Sequence, residues 1–110
     1  MLQNGNMEKA PLDLGVVLAA LSDPHRRRVI AELSIAPEGT ERTCVSFGLP
    51  VSKATLTHHF RILREAGLIS QVDRGNSRAA PLCRHEIEAA LPGLLALIVK
   101  DANDNNPSVP

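Results

Sequence analysis

A chain of 110 residues with a formal net charge of zero has room for one domain and little more. Its only aromatic residues are Phe47 and Phe60, so the core must be Leu, Ile, Val and Ala, which suits packed helices. No apolar run approaches a bilayer crossing and the N-terminus MLQNGNMEKA lacks an apolar signal core, so a cytoplasmic protein is expected, with Cys44 and Cys83 as thiols.

The zero balance hides a polarised chain. Ten of the twelve basic residues lie between Pro24 and Arg84, against five of the twelve acidic ones. A basic centre between acidic ends favours a polyanionic partner at the centre.

Residues 1–11 are polar and read as a flexible N-terminus. Leu12 to Leu21 is almost wholly apolar, too much so for a helix with one wet face. Ser22-Asp23-Pro24 supplies a cap and a first-turn proline for a second helix, PHRRRVIAELS, with Val29, Ile30 and Leu33 inward and the arginines outward. A loop from Ile35 to Thr40, a short helix from Thr43 to Phe47 and a turn from Gly48 to Val51 lead to a long helix over Ser52 to Ala66. Leu68–Asp73 and Ser77–Leu82 flank Arg74-Gly75-Asn76 and read as a β-hairpin with a basic tip. Helix returns from Arg84, is broken at Pro92, and ends in a strongly apolar segment with Leu94, Leu95, Leu97, Ile98 and Val99. Residues 101–110 read as a flexible tail, leaving 12–100 as the folded domain. The first and last helices are too apolar for a monomer surface. The economical arrangement packs them together and against the same pair of a second subunit, as a two-fold dimer.

The long helix carries the functional reading. Leu56, Phe60 and Leu63 recur at helical spacing as a buried stripe, while Lys53, Ala54, Thr57, His58, Arg61 and Arg64 point elsewhere. Cationic and hydroxyl side chains on the N-terminal exposed face are what a DNA major groove requires. Lys53, Thr57, His58 and Arg61 are the expected groove or backbone contacts, and Ser52 and Thr55 are expected to hold phosphate while capping the helix. The alternative for that face is plain solvation. His59, three residues from Leu56, is read as packed and hydrogen-bonded at least as readily as on DNA. In the hairpin, Arg74 and Arg78 can reach phosphate or the adjacent minor groove. Of Arg26, Arg27 and Arg28, one or two are expected in ion pairs with carboxylates such as Glu32, and another on phosphate.

Pairing the segment before the long helix antiparallel with the second hairpin strand would put Cys44 and Cys83 at opposite ends, beyond the roughly 7 Å limit for a disulfide. Cys83-x-His85 offers only half of a metal site, so no metal and no cofactor is expected.

Leu21-Ser22-Asp23-Pro24-His25-Arg26-Arg27-Arg28-Val29-Ile30 resembles the L-x-D-P-x-R-x-x-I/L opening of ArsR/SmtB-type winged helix-turn-helix regulators. The stretch from Ser52 to Ile69 resembles their recognition helix, S-x-x-T-x-S-x-H-L-x-x-L-x-x-A-G-L-V, and Arg74 to Arg78 is similar to their wing. The resemblance covers about Leu12 to Val99. It implies a mainly α fold with a small β-hairpin, a homodimer joined through its first and last helices, and double-stranded DNA as partner. Members commonly repress from a palindromic operator, and many release it when an inducer binds. The metal-sensing Cys-x-Cys pair of many members is replaced here by Cys44-Val45-Ser46, and the C-terminal region offers only His85, Glu86 and Glu88, then Asp101 and Asp104. Two alternatives keep the fold: a thiol- or metal-responsive sensor using Cys44 or Cys83, and a winged-helix protein-interaction module without DNA binding. An enzyme is disfavoured, since no Ser/His/Asp set, paired carboxylates or phosphate-cradling glycine loop stands at workable spacing.

Overall fold

The computed structural model describes residues 12–75 and 77–105. The segment expected to be a flexible N-terminus, 1–11, lies outside the described residues, as do 106–110 of the expected tail and Asn76 of the expected hairpin tip.

Helix α1 spans Leu14–Ala20, and Asp13 caps it by accepting from the Val16 amide at 3.0 Å. Val17 and Ala20 turn into the core, whereas Leu14, Val16 and Leu18 are about half exposed. Asp23 then caps α2, Pro24–Ile35, by accepting from the amides of His25 and Arg26. Val29, Ile30, Ala31 and Leu33 form its buried face. The arginines expected to point outward instead turn back on the fold. Arg26 Nε donates to the Ala20 carbonyl at 2.6 Å, and Arg27 Nη1 to those of Leu21 and Ser22 at 2.9 and 3.1 Å. These are the carbonyls that the end of α1 leaves without helical partners, and a cation there also suits the helix dipole. Arg84 serves the end of α2 in the same way, through the carbonyls of Leu33, Ser34 and Ala36.

A 3₁₀ turn at Cys44–Phe47 ends at Gly48, whose φ is +62°. Helix α3 follows over Lys53–Glu65, with Ser52 Oγ accepting from the Thr55 amide at 3.1 Å. Its inner face is His59, Phe60 and Leu63, with Phe60 tilted against Phe47 at 5.7 Å between ring centroids. Gly67, at φ +84°, closes the helix: its amide bonds to Arg64 O and that of Leu68 to Leu63 O. The positive φ of Gly67 is what favours glycine there; a Cβ would also meet the end of the Leu12 side chain, which would have to move aside.

The hairpin is short. β1, Val72–Asp73, pairs antiparallel with β2, Arg78–Ala79, in the register Val72↔Ala79 and Asp73↔Arg78. A bridge between Ile69 and Leu82 extends it toward the core, and one between Thr43 and Ala79 adds the segment before the 3₁₀ turn to its edge. Helices α4, Arg84–Ala90, and α5, Leu94–Asn105, complete the fold. α5 lies mainly on α2, with a smaller contact to α4. Its partner within the chain is therefore α2 rather than α1, which the sequence reading had placed beside it.

α5 also runs five residues into the stretch expected to be a flexible tail. Lys100 pairs with Asp104 at 2.7 Å, and Asn105 Nδ2 donates to the Asp101 carbonyl and carboxylate. Arg27 reaches Asp101 at 3.5 Å and ties this last stretch to α2. Among the described residues no helix is long and apolar enough to cross a membrane.

Candidate nucleic-acid interface

Burial of Phe60 and Leu63 fixes how α3 is rotated, and rotation decides what faces out. Lys53, Thr57, His58 and Arg61 are all exposed, as the pattern of the helix predicts. Arg61 Nη2 lies 3.1 Å from His58 Nδ1, so the two side chains hold each other in place and leave other guanidinium donors pointing outward. No carboxylate among the described residues pairs with Lys53 or Arg61. Ser52 is exposed and Thr55 half-buried, and their hydroxyls bond each other at 3.0 Å. No acidic residue occupies the first turn of α3, so that end presents backbone donors and positive potential only.

The wing is less basic than its sequence. Arg74 makes a two-pronged ion pair with Glu41, with Nε 3.0 Å from Oε1. The hydrogen bond from Arg74 holds the Glu41 carboxyl below its ordinary range, and Glu41 raises the Arg74 guanidinium in return. Arg78 faces Asp73 across the hairpin at 3.5 Å. The tip is therefore charge-balanced, whereas the face of α3 is not. Nothing local in the sequence announces Glu41, which stands 33 positions before its partner.

An open cleft of about 770 Å³ separates the wing from the start of α3, lined by Thr43, Cys44, Val45, Lys53, Asp73, Gly75, Ser77 and Arg78. Two cations and a thiol thus share one trough. Neither Cys44 nor Cys83 is in a disulfide. The edge pairing of Thr43 with Ala79 is the antiparallel arrangement from which their separation is expected. Among the described residues no group of three or more His, Cys, Asp or Glu side chains is placed to hold a metal ion. His85 instead pairs with Glu38, Nε2 to Oε2, at 2.7 Å.

Arg28 and Arg42 are structural. Arg28 bonds Glu32 at 2.8 Å and the Phe47 carbonyl at 2.9 Å, and Arg42 bonds the other Glu32 oxygen at 2.9 Å while lying 4.0 Å over the Phe47 ring. Arg26, Arg27 and Arg28 thus each make contacts within the fold, and Arg27 and Arg28 keep partly exposed side chains. His59 is buried on the inner side of α3, where its Nδ1 lies 3.0 Å from Arg26 Nη1.

Comparison with known proteins agrees with this geometry. A family model described as a helix-turn-helix domain matches residues 21–72, which run from the end of α1 into the wing. An uncharacterized HTH-type transcriptional regulator of Bacillus subtilis, YceK, is 32% identical over 81 residues, covering 72% of this chain and 79% of the relative. Among solved structures, one titled a possible transcriptional regulator for arsenical resistance superposes with a TM-score of 0.56 at 28% identity, over 76% of this chain and 93% of the other. An ArsR-like transcriptional regulator from Rhodococcus sp. RHA1 shares the fold, with a TM-score of 0.58 at 24% identity over 84% and 85% of the two chains. An exposed cationic face on α3, a hairpin beside it and relatives that regulate transcription all lead to one family: the chain belongs to the HTH-type transcriptional regulators, DNA-binding proteins of transcription and not enzymes, with the fold of the ArsR-like regulator.

Proposed function

We propose that this regulator acts in the cytoplasm as a homodimeric repressor, reading a palindromic operator with one α3 in each half-site. The observation that carries the reading is the uncompensated face of Lys53, Thr57, His58 and Arg61 at the start of a helix whose opposite face is locked in the core. Ser52 and Thr55 lie where a phosphate would sit against the first turn. Arg78, and Arg74 once exchanged from Glu41, lie where the wing would meet the flanking backbone. Dimerisation is supported by apolar side chains left in water: Leu14, Val16 and Leu18 on α1 and Leu97 on α5. Two-fold pairing would set the half-sites about one helical turn, roughly 34 Å, apart.

The test is a gel shift against a duplex that the protein itself selects from a random library. Lys53→Ala and Arg61→Ala are expected to weaken binding while leaving thermal unfolding nearly unchanged. Loss of a phosphate contact should lower the salt dependence by about one counterion, and loss of a base contact should relax sequence preference at one position. Normal binding by both variants sinks this placement of α3. A thiol-responsive version of the same function draws support from Cys44 in the cleft beside Lys53 and Arg78. Arsenite, zinc or oxidant would then release DNA from the parent and not from Cys44→Ser.

A further inference from the structure

Arg26 and His59 lie on the packed side of α3, and together they connect the three helices α1, α2 and α3. The guanidinium spans two elements at once: Nε holds the Ala20 carbonyl at the end of α1, and Nη1 lies 3.0 Å from His59 Nδ1 on α3. Its own backbone amide binds the Asp23 carboxylate that caps α2. His59 sits beside His58 and two residues before Arg61, so a shift at its ring moves the exposed face directly.

We propose that Arg26 and His59 are a positioning pair that seats α3 on α1 and α2, and that protonation of the His59 ring releases the helix and lowers affinity for DNA. The inference deepens the DNA-binding reading of α3 and rests on it.

The chemistry leaves one working protonation state. A guanidinium has donors only, so Nδ1 must be the bare acceptor nitrogen and the proton of the neutral ring must sit on Nε2. Protonating Nδ1 would turn N–H toward N–H and set two cations against each other. The surroundings supply little compensation. Asp23 Oδ1 is 3.9 Å from Nε2 but already accepts from two backbone amides. The other groups facing the ring are the Arg26 guanidinium and the imidazoles of His25 and His58, at 6.0 and 6.3 Å between ring centroids, and none is an anion. Burial holds the imidazole below its ordinary value; Asp23 pulls it upward, and Arg26, His25 and His58 add to the depression. The seated state therefore refuses a proton that a released state accepts. Seating is complete above the ordinary histidine value of 6.5 and weakens as pH falls below it, until the seated ring itself takes up a proton.

His58 lies on the exposed face itself, so its own contribution has to be removed from the comparison. The experiment therefore uses His58→Gln as the reference and compares it with His58→Gln/His59→Asn on the selected duplex between pH 7.5 and 5.5. Asparagine keeps an acceptor oxygen near the position of Nδ1 but does not titrate. The reference is expected to lose about fivefold or more in affinity across this range, the lower end of ordinary coupling between sites, and the double variant to stay flat. Arg26→Lys keeps the charge but lacks the fork that joins both acceptors, and it should bind about fivefold more weakly at pH 7.5 with its helical circular dichroism retained. Imidazole ¹⁵N shifts of the DNA-free protein should show His59 as the Nε2–H tautomer, titrating below the ordinary histidine value. An equal pH loss in the double variant, parental binding by Arg26→Lys, or a protonated Nδ1 at neutral pH overturns the proposal. Selection of no duplex at all would remove the DNA reading and the inference with it, whereas the ¹⁵N shifts judge the pair alone.

Discussion

Glu32 shows how much of this small fold rests on one carboxylate. One oxygen takes Arg28 and the other Arg42, and through them the side chain holds the 3₁₀ turn against α2. Burial works to raise its pKa, but hydrogen bonds from Arg28 and Arg42, helped by both charges, outweigh it and leave the carboxyl below its ordinary value near 4.5. A depressed carboxyl contributes stability that is complete above the unfolded value and is lost as pH falls through the folded one. Glu32→Gln should therefore cost about 1–3 kcal/mol at pH 7, as the price of leaving charged donors short of a partner. It should also flatten the decline of stability below pH ~4.5. Urea melts from pH 3 to 7 measure both, and an acid limb as steep as the parent's contradicts the assignment. The sequence displays the i, i+4 step from Arg28 to Glu32, and it displays the caps Asp13, Asp23 and Ser52. It does not display Arg42 over Phe47, or Arg26 on a ring 33 positions away, because side-chain partners across elements have no periodicity to read.

Helices were legible as elements because apolar spacing and capping agree along the chain. The end of α5 was not. Asp101 to Asn105 is polar enough to read as tail, and the contacts that keep it helical are themselves polar: Lys100 with Asp104, Asn105 with Asp101, Asp101 with Arg27. The wing carries the second lesson at this scale. Its strands were legible from their turn, but its charge was not, since Glu41 reaches it from the loop before the 3₁₀ turn. Removing that counter-charge gives a directional expectation. Glu41→Gln should tighten DNA binding and steepen its salt dependence by about one counterion, provided the freed Arg74 meets phosphate. Unchanged affinity and slope would mean that Arg74 serves only to brace the wing.

Among the described residues, the basic centre of the sequence becomes a surface on which Lys53 and Arg61 of α3 stand without a carboxylate partner while the wing arginines are matched. Of the large apolar side chains left exposed among the described residues, Leu14, Val16 and Leu18 lie on α1 and Leu97 on α5, while Ile35 ends α2 and Val45 sits in the 3₁₀ turn. That distribution argues for a second copy over α1 and α5, even though the two helices are not each other's main partners within the chain. Leu18→Asp should turn a dimer into monomers in sedimentation experiments and cost DNA affinity steeply, because two linked half-sites bind far better than one. A Leu18→Asp protein that remains dimeric would exclude α1 from the interface.

The pairing of the wing arginines also orders events in time. A charge already matched by Glu41 or Asp73 exerts little pull at distance, while an unmatched row on α3 keeps its reach out to about the Debye length, some 8–10 Å. If α3 and the wing meet DNA as proposed, encounter with a duplex is steered by the helix, and the wing closes second, when a phosphate close at hand displaces Glu41 from Arg74. The gain expected of Glu41→Gln accordingly falls on the association rate, since the exchange that delays the wing has already been made.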